Sequence, residues 1–300
     1  MLRGLIAFLI SLLLWSCYSD PGFEIDPASS ASPEPGEITT QRNYYLYISH
    51  TRTATNNSLI STVYDLDLSP YEMRLLGGDL ALDTSAPSIL SEVDALFDLR
   101  SPTTLWSLGN HDEMSDADFF YATGRNKFYA TSRNNTTFIV LNSQDSLSSI
   151  VNEQKDFFYN VMDTVQTTNI LVLSHKLIFM LDHPSLDSRI NDICNGKKGN
   201  CFPCHNPNNF RKDVLPKICE ARDRGQNVYW IGGDLGAKET RFAYRENGIL
   251  FLGNGMSHMR NDNEVLLLMN TERSIKYRFL PIDTVIKYQG HDNFPERFLQ

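Results

Sequence analysis

Within the stretch Leu108-Gly109-Asn110-His111-Asp112-Glu113, three consecutive side chains carry a neutral oxygen, a proton carrier and a carboxylate. Asn110 can offer its amide oxygen to a cation, His111 can move a proton near neutral pH, and Asp112 can hold an imidazole in one tautomer. The stretch follows a short apolar run, Thr104-Leu105-Trp106-Ser107, which reads as a buried strand. The same sequence of events, an apolar run and then a polar stop, recurs four times. Residues 44–48 stop at Ser49-His50-Thr51-Arg52, and residues 73–76 at Gly77-Gly78-Asp79. Residues 169–173 stop at Ser174-His175-Lys176, and residues 227–231 at Gly232-Gly233-Asp234. Polar groups at the carboxyl ends of strands in an open α/β sheet share one crevice, so these five stops are expected to converge.

The elements that must position them follow from periodicity. Ile89, Leu90, Val93, Leu96 and Phe97 recur at helical spacing over residues 87–99, and Phe157, Phe158, Val161 and Val165 over residues 151–165. Helices are also expected over 55–68, 116–123 and 209–224. Residues 127–130 and 137–141 read as a hairpin around Asn134-Asn135. Further strands fall at 248–252, 265–269 and 275–280, and the stretch after Asp283 is uninformative. The alternation of strand and helix predicts an α/β fold in one domain, residues 43–283, with a C-terminal tail at 284–300.

Gly109-Asn110-His111-Asp112 resembles the signature of calcineurin-like metallophosphoesterases. Gly78-Asp79 before it and the lone His175 after it resemble two further blocks of that family, in the family's order and each behind a strand-like run. The likeness spans about 44–280. It implies a four-layered α/β sandwich, two central mixed β-sheets flanked by helices, and a metal-dependent hydrolase of phosphate mono- or diesters. Two blocks depart from the family. Where Asp-x-His is expected this chain has His50-Thr51-Arg52, and where Gly-His-x-His is expected it has Gly233-Asp234-Leu235-Gly236. Carried over residue by residue, one metal keeps Asp79, Asn110 and His175, with Asp234 standing for a histidine. The other loses a ligand at Gly236 and meets Arg52 and His50 where it needs a histidine and an aspartate.

The resemblance therefore implies one divalent ion per chain, with Arg52 replacing the charge of the second and offering a planar fork to phosphate oxygens. Two carboxylates, an amide and an imidazole suit Mn²⁺ or Fe²⁺, with Zn²⁺ and Mg²⁺ also compatible. His111 would protonate the leaving oxygen, Asp112 would orient His111, and Lys176 would add charge. The competing reading is an inactive relative that binds a phosphorylated or sugar ligand, or a partner protein, in the same crevice, with Arg52 paired to Asp79 or Asp234.

Compartment and partners come from the rest of the chain. Residues 1–17 combine Arg3 with an apolar run shorter than the ~20 residues of a membrane-spanning helix, and read as a signal peptide. The run ends at Cys17 in a context resembling a bacterial lipoprotein box, which implies a lipid anchor and an extracytoplasmic protein of the cell envelope. Residues 18–42, rich in Ser and Pro, read as a tether. A formal charge of -9 offers no basic stripe and argues against nucleic acid as partner, leaving a small or envelope-bound phosphoester. Cys194, Cys201, Cys204 and Cys219 make an even set in or near a loop-rich insertion, 180–208, and suggest two disulfides; Cys201-x-x-Cys204 followed by His205 leaves a zinc knuckle as the rival. His183, His205, His258 and His291 have no partner that the sequence identifies.

Overall fold

The computed structural model describes residues 43–271 and 273–299; the expected signal peptide, Cys17 and the tether lie outside the described residues. Two mixed sheets form the centre. In the first, β1 (Asn43–Ile48), β2 (Met73–Leu76) and β3 (Thr104–Trp106) run parallel. β10 (Glu264–Asn270) and β11 (Ile275–Pro281) extend that sheet antiparallel, giving the order β11-β10-β1-β2-β3. In the second sheet β5 (Thr136–Val140), β6 (Asn169–Ser174), β7 (Asn227–Gly232) and β9 (Ile249–Asn254) are parallel. Antiparallel strands β4 (Tyr129–Arg133) and β8 (Arg241–Glu246) close its edges, in the order β4-β5-β6-β7-β9-β8.

Side chains alternate across each strand, and the alternation builds the layers. Tyr45, Tyr47 and Leu75 pack between the sheets against Phe138, Leu171, Leu173 and Ile231. Their neighbours Leu46, Ile48 and Leu76 face outward, where α1 (Pro87–Phe97) contributes Ile89, Val93 and Phe97. Helix α2 (Asp116–Thr123) lies on the same face through Phe119, and Ser115 caps it by accepting from Asp118 N at 3.1 Å. On the other side Ile170, Val172 and Trp230 meet Phe158 and Met162 of α3 (Asn152–Thr164) and the insertion that contains α4 (Ile190–Ile193). Leu215 and Ile218 of α5 (Leu215–Asp223) complete that layer. This is the four-layered α/β sandwich, in one domain, that the resemblance implies.

Four expectations need correction. Residues 55–68 hold only one 3-10 turn, Ser61–Asp65, because Leu59, Ile60, Val63, Leu66 and Leu68 are pinned individually into the outer layer. β8 was not foreseen; its alternation of Phe242 and Tyr244 with exposed Arg241 and Arg245 is that of an edge strand. The tail is part of the fold: α6 (Ile282–Tyr288) and Leu299 pack into the first outer layer through Ile282 and Val285. Among the described residues only Cys201 and Cys204 are bonded to each other, whereas Cys194 and Cys219 are thiols buried in the second outer layer. There they act as small apolar side chains, and burial pushes the Cys194 thiol well up.

Candidate functional site

Parallel strands deliver all their carboxyl ends to one edge, so the stops after β1, β2, β3, β6 and β7 lie together. At the floor of the crevice the two sheets meet backbone to backbone. A Cβ on Gly233 would stand 2.1 Å from Gly77 O, and the Ser49 hydroxyl reaches Gly233 O at 2.9 Å and Asn254 O at 2.5 Å. Gly78 turns the chain at φ 89°, where a side chain would strike Gly109 N and the His175 ring. The residues that follow these turns share the left-handed backbone: His50 has φ 52° and Asp79 φ 55°.

Asp79 is the centre of the arrangement and is buried. His50 Nε2 and Arg52 Nε lie 3.6 and 3.8 Å from its Oδ2. His175 Nε2 lies 3.6 Å from its Oδ1 and 3.9 Å from Asp234 Oδ1. His111 N donates to Asp79 Oδ1 at 3.0 Å. Asn110, half-buried, sits on the same loop as His111.

The three histidines share a second feature. His50 Nδ1 is 2.9 Å from Met256 O, His175 Nδ1 is 2.7 Å from Gly77 O, and His111 Nδ1 is 2.7 Å from Leu82 O. A carbonyl has only lone pairs, so each Nδ1 carries the hydrogen and the neutral ring keeps its lone pair on Nε2. Burial pushes the His50 pKa down and favours that neutral form, with the Asp79 charge opposing. The Nε2 atoms of His50 and His175 are buried without a hydrogen-bond partner, as is Arg52 Nε. In that neutral form the Nε2 lone pairs of His50 and His175 face the two oxygens of one carboxylate.

Acceptors do not face acceptors in a buried site without positive charge between them. Separations of 3.6–3.9 Å exceed a hydrogen bond. They approach the ~3.4 Å between two ligands that each stand ~2.1 Å from a shared tetrahedral ion. Among the described residues no group of three or more His, Cys, Asp or Glu side chains is gathered closely enough to hold a metal ion by itself, so the case for a cation rests on the unpartnered Nε2 atoms of His50 and His175 beside Asp79. The residues present fit a cation.

Asp112 does other work than its neighbour suggests. Its carboxylate accepts from Asp79 N (2.6 Å), Gly109 N (2.8 Å), Leu80 N (3.1 Å) and Thr84 Oγ1 (2.5 Å). Four donors occupy its oxygens, so it staples the β2 and β3 loops together while Leu82 O, not Asp112, orients His111. Burial raises the Asp112 pKa, and the charge of Asp79 adds to that.

Lys176 is fully buried, with Nζ on Phe202 O at 2.8 Å, and burial pulls its pKa down to about 8 against the opposing charges of Asp234 and Asp79. His205 is a residue that sequence reasoning missed: its Nε2 lies 2.8 Å from Asp234 Oδ2. Burial alone would raise the Asp234 pKa, but the hydrogen bond from His205 holds it well below the carboxylate range. The only trace of His205 in the sequence was its place beside Cys204. The bonded Cys201–Cys204 pair is incompatible with a zinc knuckle at that position.

No family model matches the sequence, and no curated protein matches it. Among solved structures, one described as "Structure of PhoD" overlays with a TM-score of 0.43 at 9% identity. The overlay covers 80% of this chain, which spans 66% of that chain, just under two thirds of its length.

Proposed function

We propose that the chain is a metal-dependent hydrolase of phosphate mono- or diesters with an altered, single-ion site. The observation that carries the reading is the pair of unpartnered Nε2 lone pairs, on His50 and His175, turned toward the two oxygens of buried Asp79. A divalent ion held by Asp79, Asn110, His175 and Asp234, Mn²⁺ or Fe²⁺ before Zn²⁺ or Mg²⁺, would supply Lewis acidity toward a phosphoryl oxygen. Arg52, on the opposite side of Asp79 from His175, brings a permanent charge and a planar fork for the phosphate oxygens. His111 holds its Nδ1 hydrogen on Leu82 O, so Nε2 is the atom that would take up a proton and pass it to the leaving oxygen. Asp112 fixes the loops that carry Asp79 and His111, and Lys176 adds positive charge beneath the Phe202 carbonyl.

The substrate in this reading is a small or envelope-bound phosphoester, met outside the cytoplasm by a lipid-anchored protein of a bacterial cell envelope. No helix among the described residues is long and apolar enough to cross a membrane. A second reading, an inactive binding module for a phosphorylated or sugar ligand or a partner protein, draws on the 3.8 Å approach of Arg52 to Asp79, which places a cation beside the carboxylate without a metal.

Elemental analysis of the protein purified without chelator separates the two. About one Mn or Fe per chain is expected, lost in Asp79→Ala, together with phosphoester turnover that falls about 10²–10⁴-fold in His111→Ala. No metal at any supply overturns the hydrolase and leaves the binding module.

A further inference from the structure

His205 reaches Asp234 from the Cys-rich insertion, and the whole segment 195–206 is laced over the crevice. Asn195 N donates to Asp234 O at 3.0 Å, and Gly196 N approaches both oxygens of the Asp234 carboxylate at 3.2 and 3.4 Å. His205 is set in place by its own backbone: its N donates to Lys197 O at 3.0 Å and its O accepts from Gly199 N at 3.2 Å. Between these anchors the Cys201–Cys204 bond closes a tight loop. Asn206 fills that loop, accepting from Cys201 N at 2.8 Å and donating to Cys201 O and Cys204 O at 2.9 and 3.1 Å. The result is that Phe202 O stands on Lys176 Nζ while His205 Nε2 stands on Asp234 Oδ2. At Gly196 the layers touch: a Cβ there would lie 2.5 Å from Pro203 O, 2.9 Å from Asp234 Oδ2 and 3.3 Å from the His205 ring.

We propose that His205 is the positioning residue for Asp234, and that its grip holds the disulfide-clasped segment 195–206 as a cap over Lys176. The clamp acts in two directions. The Nε2–H of His205 occupies Oδ2 of Asp234, so the carboxylate presents Oδ1 on the side of His175. In return the buried, ionised Asp234 gives the cap a charge-assisted anchor that water does not reach. A histidine hydrogen-bonded behind a ligating carboxylate orients it as outer partners orient metal ligands generally, and the loss of such a partner costs about 10–100-fold in metal affinity. The metal side of this inference rests on the function proposed above; the cap side does not.

The test uses two readouts on the full chain: the rate at which an amine-reactive reagent labels Lys176, followed by mass spectrometry, and Mn²⁺ affinity by calorimetry. In the wild type Lys176 is expected to resist labelling. In His205→Ala it should label at least about tenfold faster while Mn²⁺ binds about 10–100-fold more weakly. His205→Gln, whose amide N–H can still donate to Asp234, should restore most of both. Gly196→Ala, whose methyl group would strike Pro203 O, Asp234 Oδ2 and the His205 ring, should lift the cap and expose Lys176 while the His205 side chain is retained, and stands in if His205→Ala fails to fold. Unchanged labelling in His205→Ala and in Gly196→Ala overturns the cap, and unchanged Mn²⁺ affinity in His205→Ala overturns the positioning role. A wild type that binds no Mn²⁺ yet loses Lys176 protection in His205→Ala sinks the metal reading and leaves the clamp standing.

Discussion

Along the floor of the crevice, polar stops sit at the ends of strands whose places are set by ladder hydrogen bonds and by apolar side chains on both faces. Over its mouth, residues 195–206 hold no helix and no strand beyond a single bridge between Lys198 and His205. The floor is held by repetition, the cap by individual pairings: one disulfide, one imidazole on one carboxylate, one carbonyl on one ammonium. Regular structure fixes where ligands stand to within a rotamer, while a cap of single contacts can be undone one contact at a time.

Substitutions that strike each region should separate these two modes of construction. The largest effect belongs to the floor. Gly233→Ala puts a methyl group 2.1 Å from Gly77 O, where backbone faces backbone, and should lower unfolding free energy by about 3 kcal/mol in urea titrations. A loss below about 0.5 kcal/mol would mean that the floor yields as a loop does.

A smaller effect tests the boundary between floor and cap. Lys176 has its pKa pulled to about 8 in the folded chain, below its ordinary 10.5, so between those values the unfolded chain holds more protons. Stability must then rise with pH across that window. Lys176→Met removes the slope: it should exceed the wild type by on the order of 1 kcal/mol at pH 7, and the difference should shrink as pH climbs past about 8. Urea midpoints from pH 7 to 10.5 check this, and parallel curves for the two proteins would show a Lys176 ammonium that water still reaches.

The smallest effect lies on the outside of the cap. Lys198 pairs with Asp187 at 2.6 Å, but the lysine is 45% exposed and the pair is screened. Lys198→Ala should change stability by less than about 0.5 kcal/mol and leave Lys176 as protected as in the wild type. Rapid labelling of Lys176 in that variant would move the anchor of the cap from His205 to its rim.

The same contrast explains what could be read from the residues in advance. The strands that position Asp79, His111, His175 and Asp234 announced themselves because an apolar run followed by a polar stop needs no knowledge of distant contacts. The partner of His205 did not, since Asp234 stands 29 positions away and no period links a loop residue to a strand end. Asp112 misled for a related reason. Adjacency to His111 suggested a carboxylate behind an imidazole, but four donors from the β2 and β3 loops took its oxygens, and those meet only in the fold. Counting cysteines predicts two bonds where one is formed among the described residues, because Cys194 and Cys219 are buried as thiols in the second outer layer and a count holds no information on packing.

The left-handed backbone at His50 and Asp79 carries a further consequence. Glycine would sit in either place with less backbone strain, a relief of about 1 kcal/mol at each position. Neither imidazole nor carboxylate would survive that change. At these two positions thermal robustness and chemistry pull the sequence in opposite directions, so gains in heat resistance made there would come at the expense of the crevice.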